Sequence, residues 1–230
     1  MPDTGTLDRT TVVAGNVPEK PEPIVLEDAR WLQITFEVPR RAALEALPAD
    51  VSRPIPCYGR LLIAAGHLDR EPASFAALAV GGRFMLMPRN VLAAGVASVD
   101  RIAGTFSNGM QAGATSIERE GQRITGTVSS AMGELATAVL PAAYAIEPSM
   151  LRWDPWLAIA NHDGEPVLTE ILVTPEIELA MLSKGAALQP TDVVPRNHPF
   201  RALRNLLTIS SCYAEGTLTF SEPRILRECS

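Results

Sequence analysis

Asn90-Val-Leu-Ala-Ala-Gly-Val-Ala-Ser-Val-Asp-Arg-Ile-Ala-Gly-Thr-Phe-Ser-Asn-Gly109, followed by Ala114-Thr-Ser-Ile-Glu-Arg-Glu-Gly-Gln-Arg-Ile-Thr-Gly-Thr-Val128, is the part of this chain that decides its fold class. The first run is apolar and built from small residues, and it ends at an acid–arginine pair, Asp100-Arg101. Gly104 and the polar Ser107-Asn108-Gly109 mark a short turn, because Asn and Gly accept the backbone angles that turns require. The second run reads as a hairpin. Two alternating stretches flank Glu118-Arg-Glu-Gly-Gln, with Gly121 available for a positive φ. Strand, turn and hairpin in this order predict a chain dominated by β structure.

The same pattern extends in both directions. Trp31-Leu-Gln-Ile-Thr-Phe-Glu-Val alternates strictly, with Leu32, Ile34, Phe36 and Val38 on one face and Trp31, Gln33, Thr35 and Glu37 on the other. That predicts a half-buried strand. Residues 40–47, between Pro39 and Pro48, form a short amphipathic helix, and residues 57–65 and 73–80 are further strands. Gly81-Gly82 reads as a tight connection into Arg83-Phe-Met-Leu-Met, stopped by Pro88. Beyond the hairpin, residues 134–140, 156–160 and 167–173 continue the strands, and Asn161-His-Asp-Gly is a loop. Residues 199–207 read as a helix, 207–220 as a long strand and 224–227 as the last one. Residues 1–24, polar and rich in Pro and Gly, are expected to be a flexible tail, and residues 25–230 a single domain. With no internal repeat, the pattern predicts a barrel or two packed sheets with a few short helices.

Composition excludes several functions. At 230 residues the chain can bury a sizeable core, and with 47% hydrophobic but only 5% aromatic residues that core rests on Ala, Val, Leu and Ile. The net charge is −6, and the arginines are scattered rather than clustered, so no nucleic-acid footprint is expected. No stretch approaches the roughly 18 apolar residues that span a bilayer, and the N-terminus carries no secretion-signal pattern. Cys57, Cys212 and Cys229 are odd in number, lack metal spacing and suit a reducing cytosol. A cytoplasmic protein with no membrane partner is therefore expected.

From residue 28 to residue 228 the order of features resembles the acetoacetate decarboxylase-like family. The points of resemblance are a strand leading to a short helix that ends Leu47-Pro48, the Gly-containing turn at 104–109, the hairpin with Ile124-Thr-Gly-Thr-Val, and a Pro-Phe helix feeding the long strand 208–220. The resemblance implies a double-barrel, closed antiparallel sheet around an apolar pocket, often a homo-oligomer, acting on small oxo acids. In that family the turn reads Gly-aromatic-Pro-Lys-Lys, and its first lysine forms a Schiff base. Here the frame reads Gly104-Thr-Phe-Ser-Asn, so Ser107 and Asn108 fall where the lysines stand. The family's Arg-Glu pair falls on Asp100-Arg101 in reversed order, and its aromatic-x-Glu motif falls on Phe75-Ala-Ala, without the carboxylate. A Schiff-base lysine must be substantially neutral near pH 7, which needs burial or a neighbouring cation. Lys20, beside Glu19 and Glu22, and Lys184, in Ser183-Lys-Gly, offer neither in sequence. Imine catalysis is not expected.

The candidate site residues follow. Ser107 and Asn108, which the resemblance places at the pocket, can hydrogen-bond a carbonyl or enolate oxygen, or simply make a turn. Arg101 can clamp a carboxylate and Asp100 can act as general base, or the two can serve a structural salt bridge. Arg83 lines a pocket or caps a sheet edge. Glu170 interrupts an apolar strand and points either outward or into a cavity. Met85, Met87 and Met110 can form a deformable apolar wall or ordinary core. Phe106 and Gln111, flanking the turn, complete the expected substrate lining. Trp153 and Trp156 suit a lid or an interface. No metal site and no cofactor are expected. The reading is a small-molecule enzyme without Schiff-base catalysis. Its expected reaction is cyclisation, dehydration or isomerisation of a carbonyl-containing, polyketide-like or oxo-acid intermediate through an enol. A non-catalytic binder on the same fold and a Schiff-base-free β-keto acid decarboxylase are the alternatives.

Overall fold

From Trp31 to Phe36, six consecutive residues of the first strand are buried, so both of its faces are covered. This corrects the half-buried strand expected from its alternation. Leu32, Ile34 and Phe36 enter one core and Trp31 enters another, so the strand is a wall shared between two interiors. The computed structural model describes residues 22–48, 51–106, 110–163, 165–191, 199–200 and 207–228. Ser107, Asn108, most of the N-terminal tail and most of the helix expected over 199–207 lie outside the described residues.

β1 (Ile24–Glu37) pairs with β2 (Tyr58–Leu68) on one edge and with β13 (Thr208–Phe220) on the other. β3 (Glu71–Phe84) pairs antiparallel with β2, and β4 (Met87–Ala97) pairs antiparallel with β3. Side chains alternate across these strands as the pleat requires. Leu61, Ile63, Ala76 and Leu78 join the first core, while Leu62, Ala64, Phe75 and Ala77 join the second. The first core is completed by β5 (Met110–Glu120), β6 (Arg123–Ser130), β7 (Gly133–Leu140) and β8 (Ala143–Ala145), with β12 (Ala187–Pro190) extending that side of the sheet beyond β7. β11 (Val173–Ser183) pairs with β13 and β8 and completes that half. The second core is enclosed by β9 (Trp156–His162), β10 (Glu165–Ile171) and the short helix α2 (Asp100–Thr105). β14 (Arg224–Glu228) pairs with β10, and α1 (Arg40–Ala46) packs against β3.

The two halves meet at a branch in β4. Asn90 and Val91 pair in parallel with Trp156 and Leu157 of β9, whereas Gly95, Val96 and Ala97 pair in parallel with residues 110–112 of β5. One strand edge thus serves two neighbours, and the expected antiparallel sheet is mixed at these two short contacts. The architecture is otherwise the mainly β double barrel that was expected.

Two local readings change. Gly81-Gly82 is not a connection but the interior of β3, where a Cβ would lie 2.2 Å from the Tyr58 ring or 2.3 Å from Val51. The turn comes later, at Met85 and Leu86, both with positive φ. The strand expected over residues 167–173 is β10, which ends at Ile171, and β11 is a further strand that the sequence pattern did not predict. Pro175 reads as a breaker, but β8 covers the second edge of β11 only from Met181 to Ser183, so a missing N–H near Pro175 is tolerated. Among the described residues, no helix is long and apolar enough to cross a membrane.

Candidate functional site

Along the second-core face of β1, the apolar Trp31 gives way to Gln33 and then Thr35. The same change on β2 runs from Ala64 through Leu62 to Arg60, which is paired opposite Thr35. Apolar filling therefore stops before the strands do, and a half-open cavity of about 490 Å³ lies at this mouth. Gln33, Thr35, Tyr58, Arg60, Arg83, Arg152, Ser211 and Cys212 supply its polar lining. Ile55, Met150, Leu182 and Ile209 supply much of its apolar lining.

Arg60 dominates the site. It is only 8% exposed, and its Nη1 donates to Asp154 Oδ2 at 3.2 Å. Its Cζ lies 5.9 Å from the centre of the Tyr58 ring, while Nε is buried without a partner. A guanidinium this deep must be paired to be tolerated, and here the partner is itself strapped in place. The fully buried Asn90 donates its Nδ2 to the Asp154 carbonyl at 3.0 Å and its backbone N–H to Pro155 at 2.9 Å. Trp153 packs edge-on against Trp31, with ring centres 5.8 Å apart. The branch point of the sheet thus holds the segment that carries the carboxylate. Asn90 Oδ1 and the indole N–H groups of Trp31 and Trp153 are also buried and unpartnered. Each such group is destabilising by about 1–3 kcal/mol until something bonds to it.

Electrostatics keep the other groups in their neutral forms. Burial raises the Tyr58 phenol above its usual range, against the opposing pull of Arg60. Burial likewise pushes the Cys212 thiol up to about 11 despite Arg60. Tyr58 is therefore a hydrogen-bond donor at neutral pH, and Cys212 is a poor nucleophile. Together with the Arg60, Arg83 and Arg152 guanidinium groups, the site can bind an anion and polarise a carbonyl, with the Asp154 carboxylate held on Arg60 at 3.2 Å. It contains no described amine.

The residues singled out from sequence scatter. Arg83 lines the cavity. Met85, 82% exposed, and Met87 sit on the β3–β4 hairpin tip rather than in a pocket wall. Asp100 is exposed at the start of α2, and Arg101 pairs with Asp69 at 2.6 Å and Glu22 at 3.4 Å, at the opposite end of β1 and β2 from Arg60. Phe106 is buried in the second core among Phe75, Phe220 and Trp156, at ring-centre distances of 5.4–6.0 Å. Met110 packs against that core, and Gln111 is exposed on β5. Glu170 points inward, but between two arginines: Arg89 Nε donates to Oε1 at 2.8 Å and Arg224 to Oε2. Lys184, the one lysine among the described residues, is exposed beside a separate open cavity near Tyr144.

Sequence reasoning missed Arg60, Asp154, Asn90, Gln33, Thr35, Tyr58 and Cys212 as site residues. The available signal was Tyr58-Gly-Arg-Leu-Leu-Ile-Ala-Ala, in which an arginine opens an apolar strand.

Comparison with solved structures agrees with the architecture. Acetoacetate decarboxylase from Legionella pneumophila superposes with a TM-score of 0.74 at 14% identity, covering 90% of this chain and 88% of that one. The enduracididine biosynthesis enzyme MppR, complexed with pyruvate, gives 0.76 at 16% identity, covering 95% and 99%. An acetoacetate decarboxylase-like enzyme from Sphingomonas wittichii RW1 gives 0.72 at 11% identity, covering 91% and 94%. No protein-family model and no curated relative match the sequence. Across nearly its whole length, then, this chain has the acetoacetate decarboxylase-like fold.

Proposed function

We propose that the chain is a cofactor-independent enzyme of the isomerase or lyase type that works through an enol, without an imine, on a carbonyl-containing oxo acid. The observation that carries this reading is Arg60, buried at the cavity with an unmade bond and flanked by a protonated Tyr58 and the Asp154 carboxylate. Asp154 removes a proton from the carbon next to the carbonyl. Tyr58 and an arginine donate to the oxygen on which charge develops, and one such donor is typically worth about 2.7–4 kcal/mol. The enol then takes a proton at another carbon in an isomerisation. In a dehydration it expels a β-hydroxyl as water, the proton coming from Asp154. In a cyclisation its carbon attacks a second carbonyl and the new alkoxide takes the proton held on Asp154. MppR, on the same fold, has been captured with pyruvate and with the condensation product of pyruvate and imidazole 4-carboxaldehyde, which supports an oxo acid at such a site.

The test is proton exchange. In D2O, ¹H NMR should show deuterium entering carbon 3 of pyruvate or 2-oxooctanoate faster than in buffer. Tyr58→Phe and Asp154→Asn should each remove most of that gain. Exchange no faster than buffer defeats the reading, and so does a borohydride-trapped adduct on the protein's mass. A second reading draws on the Arg60–Asp154 contact itself: a carboxylate already engaged by a guanidinium has a structural role to fill, which suits a non-catalytic binder. Binding of the oxo acid without exchange would select it.

A further inference from the structure

We infer that the ligand of the Arg60 mouth is an amphipathic carboxylic acid whose apolar body is several carbons longer than pyruvate. This rests on the reading of that mouth as the ligand site. The cavity's buried lining is largely polar, and its exposed lining sets Ile55, Met150 and Ile209 beside Arg83 and Arg152. Arg60 lies deep, whereas Ile55 is 81% exposed, Met150 64% and Ile209 50%, all lining the same opening. Isolated exposed apolar residues are ordinary on protein surfaces. Here three of them come from three separate segments and converge on a cavity that also holds a nine-tenths-buried arginine with an unmade bond.

Charge complementarity selects the head of the ligand. Arg60, Arg83 and Arg152 line the cavity, no carboxylate is among its described lining residues, and Asp154 offsets only the charge of Arg60, in a chain whose net charge is −6. An anion is drawn to this opening and not to the surface at large. Shape selects the tail. A three-carbon acid reaching Arg60 leaves the rim untouched, whereas about 490 Å³ falls within the range that encloses ligands of drug size. A chain leading back from the carboxylate crosses Leu182 and covers Met150, Ile209 and Ile55.

Calorimetry on the full chain with straight-chain carboxylates from propanoate to decanoate, below their micelle concentrations, tests this directly. Kd should fall about two- to fourfold per added methylene and level off once the rim is covered. Each acid should bind at least tenfold more tightly than its primary amide. Met150→Ser and Ile209→Ser should flatten the chain-length response. Arg60→Gln should erase the acid–amide difference. The acid–amide comparison on the unaltered protein stands even if that variant does not fold. A flat response to chain length, or acids and amides that bind alike, overturns the inference. The readout is binding, so it separates from the catalytic proposal. A chain-length response without proton exchange removes the enol reading alone, and exchange into pyruvate with a flat response removes this one alone.

Discussion

The two interiors share the walls of β1, β2, β3 and β4, yet they end differently. On the first-core face the strands stay apolar to the end: Leu32, Ile34 and Phe36 on β1, with Leu61 and Ile63 on β2. Packing there is tight at Gly126, where a Cβ would lie 2.4 Å from Leu32 and 3.1 Å from Ile63. On the other face the floor is aromatic and the end is polar, running from Trp31 to Thr35 and from Ala64 to Arg60. One residue of offset along the same strands separates a filled barrel from a barrel with a mouth. The difference teaches that stability and a ligand site are divided between the faces of a shared sheet, not between domains.

The comparison requires the floor of the second barrel to be as tightly built as the first. Phe106→Ala removes a ring that contacts Phe75, Phe220 and Trp156, and it should be destabilising by about 3–5 kcal/mol in urea unfolding. A loss below about 1 kcal/mol would mean that this floor is loose and the contrast is misplaced.

The mouth should be marked by alkaline sensitivity. Burial raises the Cys212 thiol from 9.0 to about 11, so the folded protein favours the neutral form. The resulting stabilisation, of order 2–3 kcal/mol, is fully present below pH 9 and is lost as pH rises through 11. Tyr58 and Tyr213, both raised from 10.0, add to the loss only above pH 10. Between pH 9 and pH 10 the slope belongs to Cys212 among these three, and Cys212→Ala should flatten it. An unchanged slope in that variant would place the thiol in water.

Arg60 and Asp154 sharpen the contrast further. Arg60→Met leaves a half-buried carboxylate without its partner, and Asp154→Asn leaves a buried cation. Each should be destabilising by about 1–3 kcal/mol, and the double variant by less than the sum, with a coupling of about 1–2 kcal/mol. Additive losses would show that the pair is not formed in solution.

The fold was legible because its signals are local. The hairpin around Gly121, the short helix between Pro39 and Pro48, and the long strand ending at Phe220 each follow from neighbouring residues. Of the residues singled out in sequence, only Arg83 lines the candidate cavity, whose members lie far apart in the chain. Arg60 and Asp154 are 94 residues apart, and Asn90 is 64 from the carbonyl it binds. The double burial of β1 was hidden for a related reason. Gln33 and Thr35 read as solvent-facing until a second barrel closes over them, and no pattern within one strand reports that closure. Glu170 shows the converse: an acid inside an apolar strand suggests a functional carboxylate, but Arg89, 81 residues away, and Arg224, 54 away, engage it.

The smallest expected effect tests which end of the second barrel is used. Arg101 lies at the far end of β1 and β2, bridging α2 to Asp69 in the β2–β3 turn and to Glu22 ahead of β1. Both partners are largely exposed, and exposed pairs are screened by water and salt, so Arg101→Ala should change stability by about 0.5 kcal/mol or less. Most of that difference should vanish in 1 M salt. The exchange rate into 2-oxo acids and the affinity for octanoate should stay within twofold of the unaltered protein, because the guanidinium that meets the ligand is Arg60. A tenfold loss of exchange in Arg101→Ala, with Arg60→Met unaffected, would reverse the assignment. The working end would then be that of α2, and the polar mouth at Thr35 and Arg60 would be a structural ion pair beneath an apolar rim.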